Sequence, residues 1–139
     1  MISKFRIKNF RSIVDLTLDF TYGEGKAPNG HKKLDTLPFL EAPNGERLVP
    51  CMAFLGANAS GKSNIIKAFR ALYSLVHSTP ITDTLDVFDP NVINPKNTGT
   101  TFEIDFFHGV NKFRYAITYT KEAIQKEELS IDGKRVFAV

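Results

Sequence analysis

Eight consecutive residues, Gly56-Ala57-Asn58-Ala59-Ser60-Gly61-Lys62-Ser63, satisfy the spacing G-x-x-x-x-G-K-[ST] without a gap. Their types suit the capture of phosphate oxygens. Two glycines let the backbone turn tightly and aim successive N–H groups at an anion. Lys62 carries a compact charge on a flexible stem, with the reach for β- and γ-phosphates. Ser63 offers a hydroxyl to Mg²⁺, a cation that keeps several waters and takes few protein ligands. The N–H groups from Asn58 to Ser63, with Asn64 just behind, would cradle the β-phosphate. Gly61 must let the backbone pass close to the phosphates, so a Cβ there should clash.

A Gly-rich turn ahead of an ordinary helix would explain the same letters more simply, so the neighbouring elements decide. The pattern is credible where a strand enters the loop and a helix leaves it. The apolar run Leu48-Val49-Pro50-Cys51-Met52-Ala53-Phe54-Leu55 has no polar alternation, which predicts a strand covered on both faces. Pro50 lacks an N–H, so the ladder should begin at Cys51. Asn64 to His77 reads as a helix with Ile65, Ile66, Phe69, Leu72, Tyr73 and Val76 on one broad apolar face. Its N-terminus would add unpaired donors and a positive dipole end to the loop. Pro80 should stop it, after Ser78-Thr79. This setting predicts binding of a nucleoside triphosphate.

Ahead of the loop, residues 2–8 read as a strand. Val14, Leu16, Leu18 and Phe20 alternate with Asp15, Thr17 and Asp19, the period of a strand with one buried face. Asn9-Phe10-Arg11-Ser12 would connect the two as an antiparallel hairpin. Residues 21–47 lose periodicity and collect Gly23, Gly25, Pro28, Gly30, Pro38, Pro43 and Gly45, which predicts a loop or insertion with at most one short strand. Residues 80–100 are irregular and carry Asp83, Asp86 and Asp89, without metal-ligand spacing. Beyond them Phe102, Ile104 and Phe106 alternate with acids. His108-Gly109-Val110-Asn111 reads as a turn, and Phe113, Tyr115, Ile117 and Tyr119 alternate again. Leu129 and Ile131 lead into Asp132-Gly133, a strong hairpin signal before Val136 and Phe137. These aromatics read as core in preference to a base-stacking surface.

The 139 residues amount to one domain, with the 42% hydrophobic and 24% charged content of an ordinary globular protein. A single cysteine, Cys51, rules out a disulfide framework and reads as a buried structural thiol in a reducing compartment. The first eight residues interleave charge with apolar side chains, so they hold no signal-peptide core, and no run is long enough to span a bilayer. A soluble, cytoplasmic protein is expected. Net charge is +3 and the pI about 9.0. Lys4, Arg6 and Lys8 share one side of the first strand. Such a row can contact DNA, or can simply be the solvated face of an edge strand.

The hairpin with Asn9-Phe10-Arg11-Ser12 at its bend, followed by Gly56 to Phe69, resembles the AAA-family ATP-binding proteins related to the RecF, SMC and OLD-type ATPases. These are similar to ABC-transporter heads in fold. The resemblance covers nearly the whole chain and is most specific over 5–12 and 54–69. It implies an α/β P-loop NTPase fold of the ABC/RecF-like head type: an N-terminal β-hairpin, a P-loop strand and helix, then an antiparallel β-region over 101–139, forming an incomplete lobe. It further implies ATP and Mg²⁺ as cofactors. Heads of this kind form a homodimer, or pair with a partner head, and trap the nucleotide between one subunit's loop and the other's signature segment. Work in DNA repair or in anti-phage defence, beside an effector nuclease or other defence protein, goes with that family. Carried onto this chain, Gly56, Asn58, Ser60, Gly61, Lys62 and Ser63 line the phosphates, and Arg11 and Ser12 match the bend near the nucleotide.

Hydrolysis in this class also needs an apolar strand ending in Asp or Asp-Glu to hold Mg²⁺ and orient water. No such run is present, so no catalytic acid can be named. Phe102-Glu103-Ile104-Asp105 alternates and should turn its acids to solvent. No Gly-Gly pair marks a signature segment, and Asn111-Lys112-Phe113-Arg114 departs from the guanine-reading Asn-Lys-x-Asp. Gln125, the one glutamine, lies among Lys121, Glu122, Lys126 and Glu127 and reads as part of a solvated turn. His77 and His108 read as a helix end and a turn. With an alternating pattern still running at Ala138-Val139, the chain is expected to be the N-terminal part of a larger ATPase head. Two other functions fit less of the pattern. One is a nucleotide-gated interaction module without turnover; the other is a small-molecule kinase, which usually has its phosphate loop near the N-terminus and an Arg-rich lid.

Overall fold

Alternation over the first ten residues frames the molecule. In β1 (Ile2–Phe10) the side chains of Ser3, Phe5, Ile7 and Asn9 are buried, while Lys4, Arg6 and Lys8 take the opposite face, as period two requires. The computed structural model describes residues 1–22, 40–77, 87–91 and 99–139. Its further elements are β2 (Ile13–Asp19), β3 (Leu40–Glu41), β4 (Arg47–Leu48), α1 (Lys62–His77), β5 (Thr100–His108), β6 (Asn111–Tyr119), β7 (Ile124–Ile131) and β8 (Lys134–Ala138). Six strands form one sheet in the order β2-β1-β5-β6-β7-β8, and β3 pairs only with β4. Every pairing is antiparallel.

The expected hairpins form. β1 turns into β2 through Arg11-Ser12, with φ of 54° at Asn9 and 52° at Arg11. Asn9 sits in this strained region because its neighbours fix it. Its amide donates to the Gly99 carbonyl at 2.9 Å and accepts from the Asn91 N–H at 3.1 Å. Its own carbonyl accepts from the Thr100 hydroxyl at 2.8 Å. Asp132 and Gly133 both take positive φ, 49° and 75°, as the tight turn between β7 and β8 demands.

Helix α1 lies over one face of the sheet. Ile65, Ala68, Leu72 and Leu75 are buried at the spacing of a helical stripe, with Ala71 beside them. The Phe5 and Phe69 rings are 4.3 Å apart. This corrects the expected apolar face: Ile66, Tyr73 and Val76 are 63%, 63% and 55% exposed. Two alanines let the backbone approach the sheet, which turns the helix by part of a turn from the side marked by its largest residues. At the C-terminus His77 Nδ1 lies 3.0 Å from the Tyr73 carbonyl.

The fold class is the main correction. The α/β P-loop NTPase fold predicted above is not formed; the described residues are mostly antiparallel β, with a six-stranded sheet, the small β3–β4 pair and one helix among them. A parallel sheet needs crossover helices between its strands. The described strands after α1, β5 to β8, are period-two segments joined by short turns, and they pair as hairpins. The strand predicted over 48–55 also fails to form. β4 ends at Leu48, and residues 51–55 make no backbone hydrogen bond to another described segment. Met52 and Phe54 pack against the core while Leu55 is 94% exposed, so the run has a covered face on one side only. Cys51, predicted buried, is exposed because it falls on the open side.

The predicted insertion 21–47 contains two short strands in its described part, where one was allowed for. Thr21 bridges Leu48, and the Val49 N–H donates to the Phe20 carbonyl at 2.8 Å. The rest of that segment lies outside the described residues, as do Asp83 and Asp86. No helix among the described residues is long and apolar enough to cross a membrane.

The far face of the sheet is a ladder of opposite charges. Lys4 lies 3.6 Å from Asp19, Arg6 reaches Asp15 at 2.9 Å and Glu103 at 3.5 Å, and Arg114 reaches Glu103 at 2.7 Å. The hydrogen bond from Arg6 holds the Asp15 carboxyl below its usual range, and the Thr21 hydroxyl does the same for Asp19. Lys112 lowers Glu46 likewise. A depressed carboxyl contributes stability above its unfolded-state value and loses it as pH falls through the folded one. The urea midpoint is therefore expected to hold from neutrality down to about pH 4 and to drop below it. The drop should be modest, since all three pairs are open to solvent.

Candidate phosphate-binding loop and cleft

The motif residues form the loop between the extended segment 51–55 and α1. Ala59 and Gly61 take φ of 63° and 89°, the left-handed conformations that fold a chain back on itself. The loop makes two backbone bonds, from the Ser60 N–H to the Ala57 carbonyl at 3.3 Å and from the Asn64 N–H to the Gly61 carbonyl at 2.9 Å. Among the described residues, the N–H groups of Asn58, Ala59, Gly61, Lys62 and Ser63 find no backbone acceptor. Gly56 to Ser60 are exposed, as is Ser63.

Lys62 curls over its own loop. Its ammonium donates to the carbonyls of Gly56 at 2.7 Å and Ala57 at 2.6 Å, and more weakly to the Ser60 hydroxyl at 3.3 Å. An ammonium has three donors. Two strong bonds to carbonyls fix its position, and the long third can be exchanged for an anionic oxygen. The charge therefore stays at the loop, away from the apolar core.

The β1–β2 bend buttresses this arrangement. The Asn64 amide donates to the Ser12 hydroxyl at 2.7 Å, tying the first turn of α1 to a residue far away in sequence. That same hydroxyl would stand 2.7 Å from a Cβ placed on Gly61. The expected need for glycine is thus met by Ser12, together with the positive φ. Gly61→Ala is expected to destabilise the chain by about 1–3 kcal/mol through strained φ and this clash. Adding Ser12→Ala should restore only the steric part, which the two thermal midpoints will separate.

Loop and bend enclose an open cleft of about 740 Å³, with Val14 and Leu16 on one wall, Phe54 and Leu55 on the other, and Gly61 and Lys62 at its base. Ser12 lines it as well. Arg11 does not; its guanidinium lies 2.8 Å from the Asp89 carboxylate, and its N–H donates to the Asp89 carbonyl at 2.7 Å. Ser12 and Asn64, both predicted to meet nucleotide, are thus brought together and bonded to each other, while Arg11 is directed to the segment 87–91.

The apolar walls were missed from sequence. Alternation assigned Val14 and Leu16 to a buried face; Leu16 does pack against the core, but on the edge strand β2 Val14 is 54% exposed. The one usable signal was the hairpin register, which places β2 beside whatever follows its bend. Asp15 also lines the cleft, but Arg6 holds both of its oxygens, at 3.0 and 2.9 Å. Among the described residues, no group of three or more His, Cys, Asp or Glu side chains could hold a metal ion. The donor set here suits a hard cation only through the Ser63 hydroxyl together with ligand oxygens and water. No family model matches this chain, and no curated protein matches it.

Proposed function

We propose that this chain binds ATP with Mg²⁺ through the loop 56–63. The observation that carries it is a set of N–H groups, at Asn58, Ala59, Gly61, Lys62 and Ser63, that have no backbone partner among the described residues, beside an ammonium and an open cleft. Buried or engaged amides would leave an anion nothing to bind; these belong to a tight, largely exposed loop at a helix start. Lys62 would add charge at the β- and γ-phosphates. Ser63 would contribute the protein's ligand to Mg²⁺, which when bound neutralises charge on the phosphates.

The resemblance to RecF-, SMC- and OLD-related ATP-binding proteins supports a wider role. In it, this chain serves an ATPase whose turnover opens and closes a dimer or a pairing with a partner protein, in a cytoplasmic DNA-related or anti-phage system. DNA and an effector nuclease would be its partners there. Lys4 and Arg6 already face carboxylates, so the row they form with Lys8 lends that role little support. A second reading is favoured by a specific observation. Asp15, the only carboxylate lining the cleft among the described residues, is held by Arg6 on both oxygens. Without a free acid there, these residues would form a nucleotide-gated interaction module that does not hydrolyse.

Calorimetric titration with MgATP, MgADP and AMP tests the first reading. Affinity should fall with each phosphate removed, and equal binding of AMP would contradict it. Phosphate release by the purified chain that disappears in Lys62→Ala would eliminate the second.

A further inference from the structure

We infer that Asp89 is a positioning residue for the phosphate loop, acting through Arg11 and Ser12 at the β1–β2 bend. This rests on the phosphate-loop reading and adds to it a residue from outside the loop.

Two adjacent residues of the bend hold two different parts of the chain together. Arg11 donates its main-chain N–H to the Asp89 carbonyl at 2.7 Å, and its guanidinium lies 2.8 Å from the Asp89 carboxylate. Ser12, next in sequence, accepts from the Asn64 amide at 2.7 Å. Its hydroxyl also lies 2.7 Å from where a Cβ on Gly61 would stand. One peptide bond therefore separates the residue gripped by Asp89 from the residue that touches the loop.

The bend is strained as well as tight. Asn9 and Arg11 hold φ of 54° and 52°, a region that side chains with a Cβ adopt only when their surroundings hold them there. The segment 87–91 holds both. The Asn91 N–H donates to the Asn9 side chain at 3.1 Å, and Asp89 grips Arg11 by main chain and side chain. That segment is anchored in turn: the Tyr119 hydroxyl donates to the Val87 carbonyl, and Val87 and Asn91 are buried.

Without the Asp89 side chain, the Arg11 backbone can relax towards negative φ and draw Ser12 away from Asn64 and Gly61. The loop N–H groups must then be ordered as the triphosphate arrives. Donors fixed beforehand bind more tightly than donors ordered on binding. The coupling is reciprocal, so a triphosphate in the loop strengthens the hold of Asp89 on the bend.

The test is a double-mutant cycle on the full chain, with wild type, Asp89→Ala, Ser12→Ala and the pair titrated calorimetrically with MgATP. Asp89→Ala is expected to weaken binding roughly fivefold, the low end of coupling between sites. In the Ser12→Ala background it should change affinity by no more than about twofold, because effects that pass through one contact do not add. Equal losses in both backgrounds, or a lowered thermal midpoint with unchanged affinity, would overturn the inference. Asp89→Asn, which keeps the shape and removes the charge, supplies a readout without nucleotide. The Gly61 and Asn64 amide resonances should shift in that variant; unchanged resonances would overturn the inference and leave the phosphate loop standing. Failure of the wild-type chain to bind MgATP would overturn both.

Discussion

Replacing Lys62 with alanine is expected to weaken MgATP binding by roughly 10- to 100-fold, from the loss of charge-assisted bonds worth about 1.5–3 kcal/mol. Two effects add. The substitution removes a cation from the phosphates, and it also removes the link that holds the loop's first two carbonyls, at 2.7 and 2.6 Å, to the start of α1. Lys62→Arg separates the two, because a planar fork cannot reproduce a compact ammonium curled over its own loop. It should keep the charge and still bind poorly. Calorimetry gives the affinities, and circular dichroism confirms that each variant keeps its fold. Exposed loop residues carry little of the core, so the thermal midpoint should move little.

The largest effect on stability is expected at Phe102. Its ring is fully buried and lies 5.9 Å from Phe5, 5.5 Å from Phe10 and 5.8 Å from Tyr119. Phe102→Ala should cost about 3–5 kcal/mol, by lost burial and the cavity left between sheet and helix. That is a large share of the roughly 5–15 kcal/mol that holds an ordinary domain together. Phe102→Leu, which fills much of the space, should cost far less. Urea midpoints at neutral pH will rank the three proteins. Equal midpoints would mean that the aromatic cluster is not the centre of the core.

Why some features were legible in the sequence and others were not comes down to range. The hairpins were visible because their determinants are local: alternation in 2–8 and 102–119, and the Asp132-Gly133 pair whose positive φ values the turn requires. Glycine at 61 was legible for the same reason, although the group that excludes a side chain there, Ser12, is brought in from the far end of the chain. The fold class was not legible. An apolar run before a phosphate loop implies a strand between two neighbours, but Cys51 to Leu55 have a packed side and an open side, with Leu55 almost wholly exposed. Periodicity reports which residues are apolar, and only pairing decides whether a sheet surrounds them. The helix face shows a similar gap. Ala68 and Ala71 are small enough for close approach to the sheet, and their burial outweighed the larger Ile66 and Tyr73. Nothing local announced that Arg11 would pair with Asp89 while its neighbour Ser12 met Asn64.

The most direct measurement is the amide nitrogen–proton correlation spectrum of the isotope-labelled chain, titrated with MgATP. Resonances of Asn58, Ala59, Gly61, Lys62 and Ser63 should shift most and saturate together, because their N–H groups lack backbone partners and would gain phosphate oxygens. Shifts confined to other parts of the chain, or none at millimolar nucleotide, would contradict a triphosphate site at this loop.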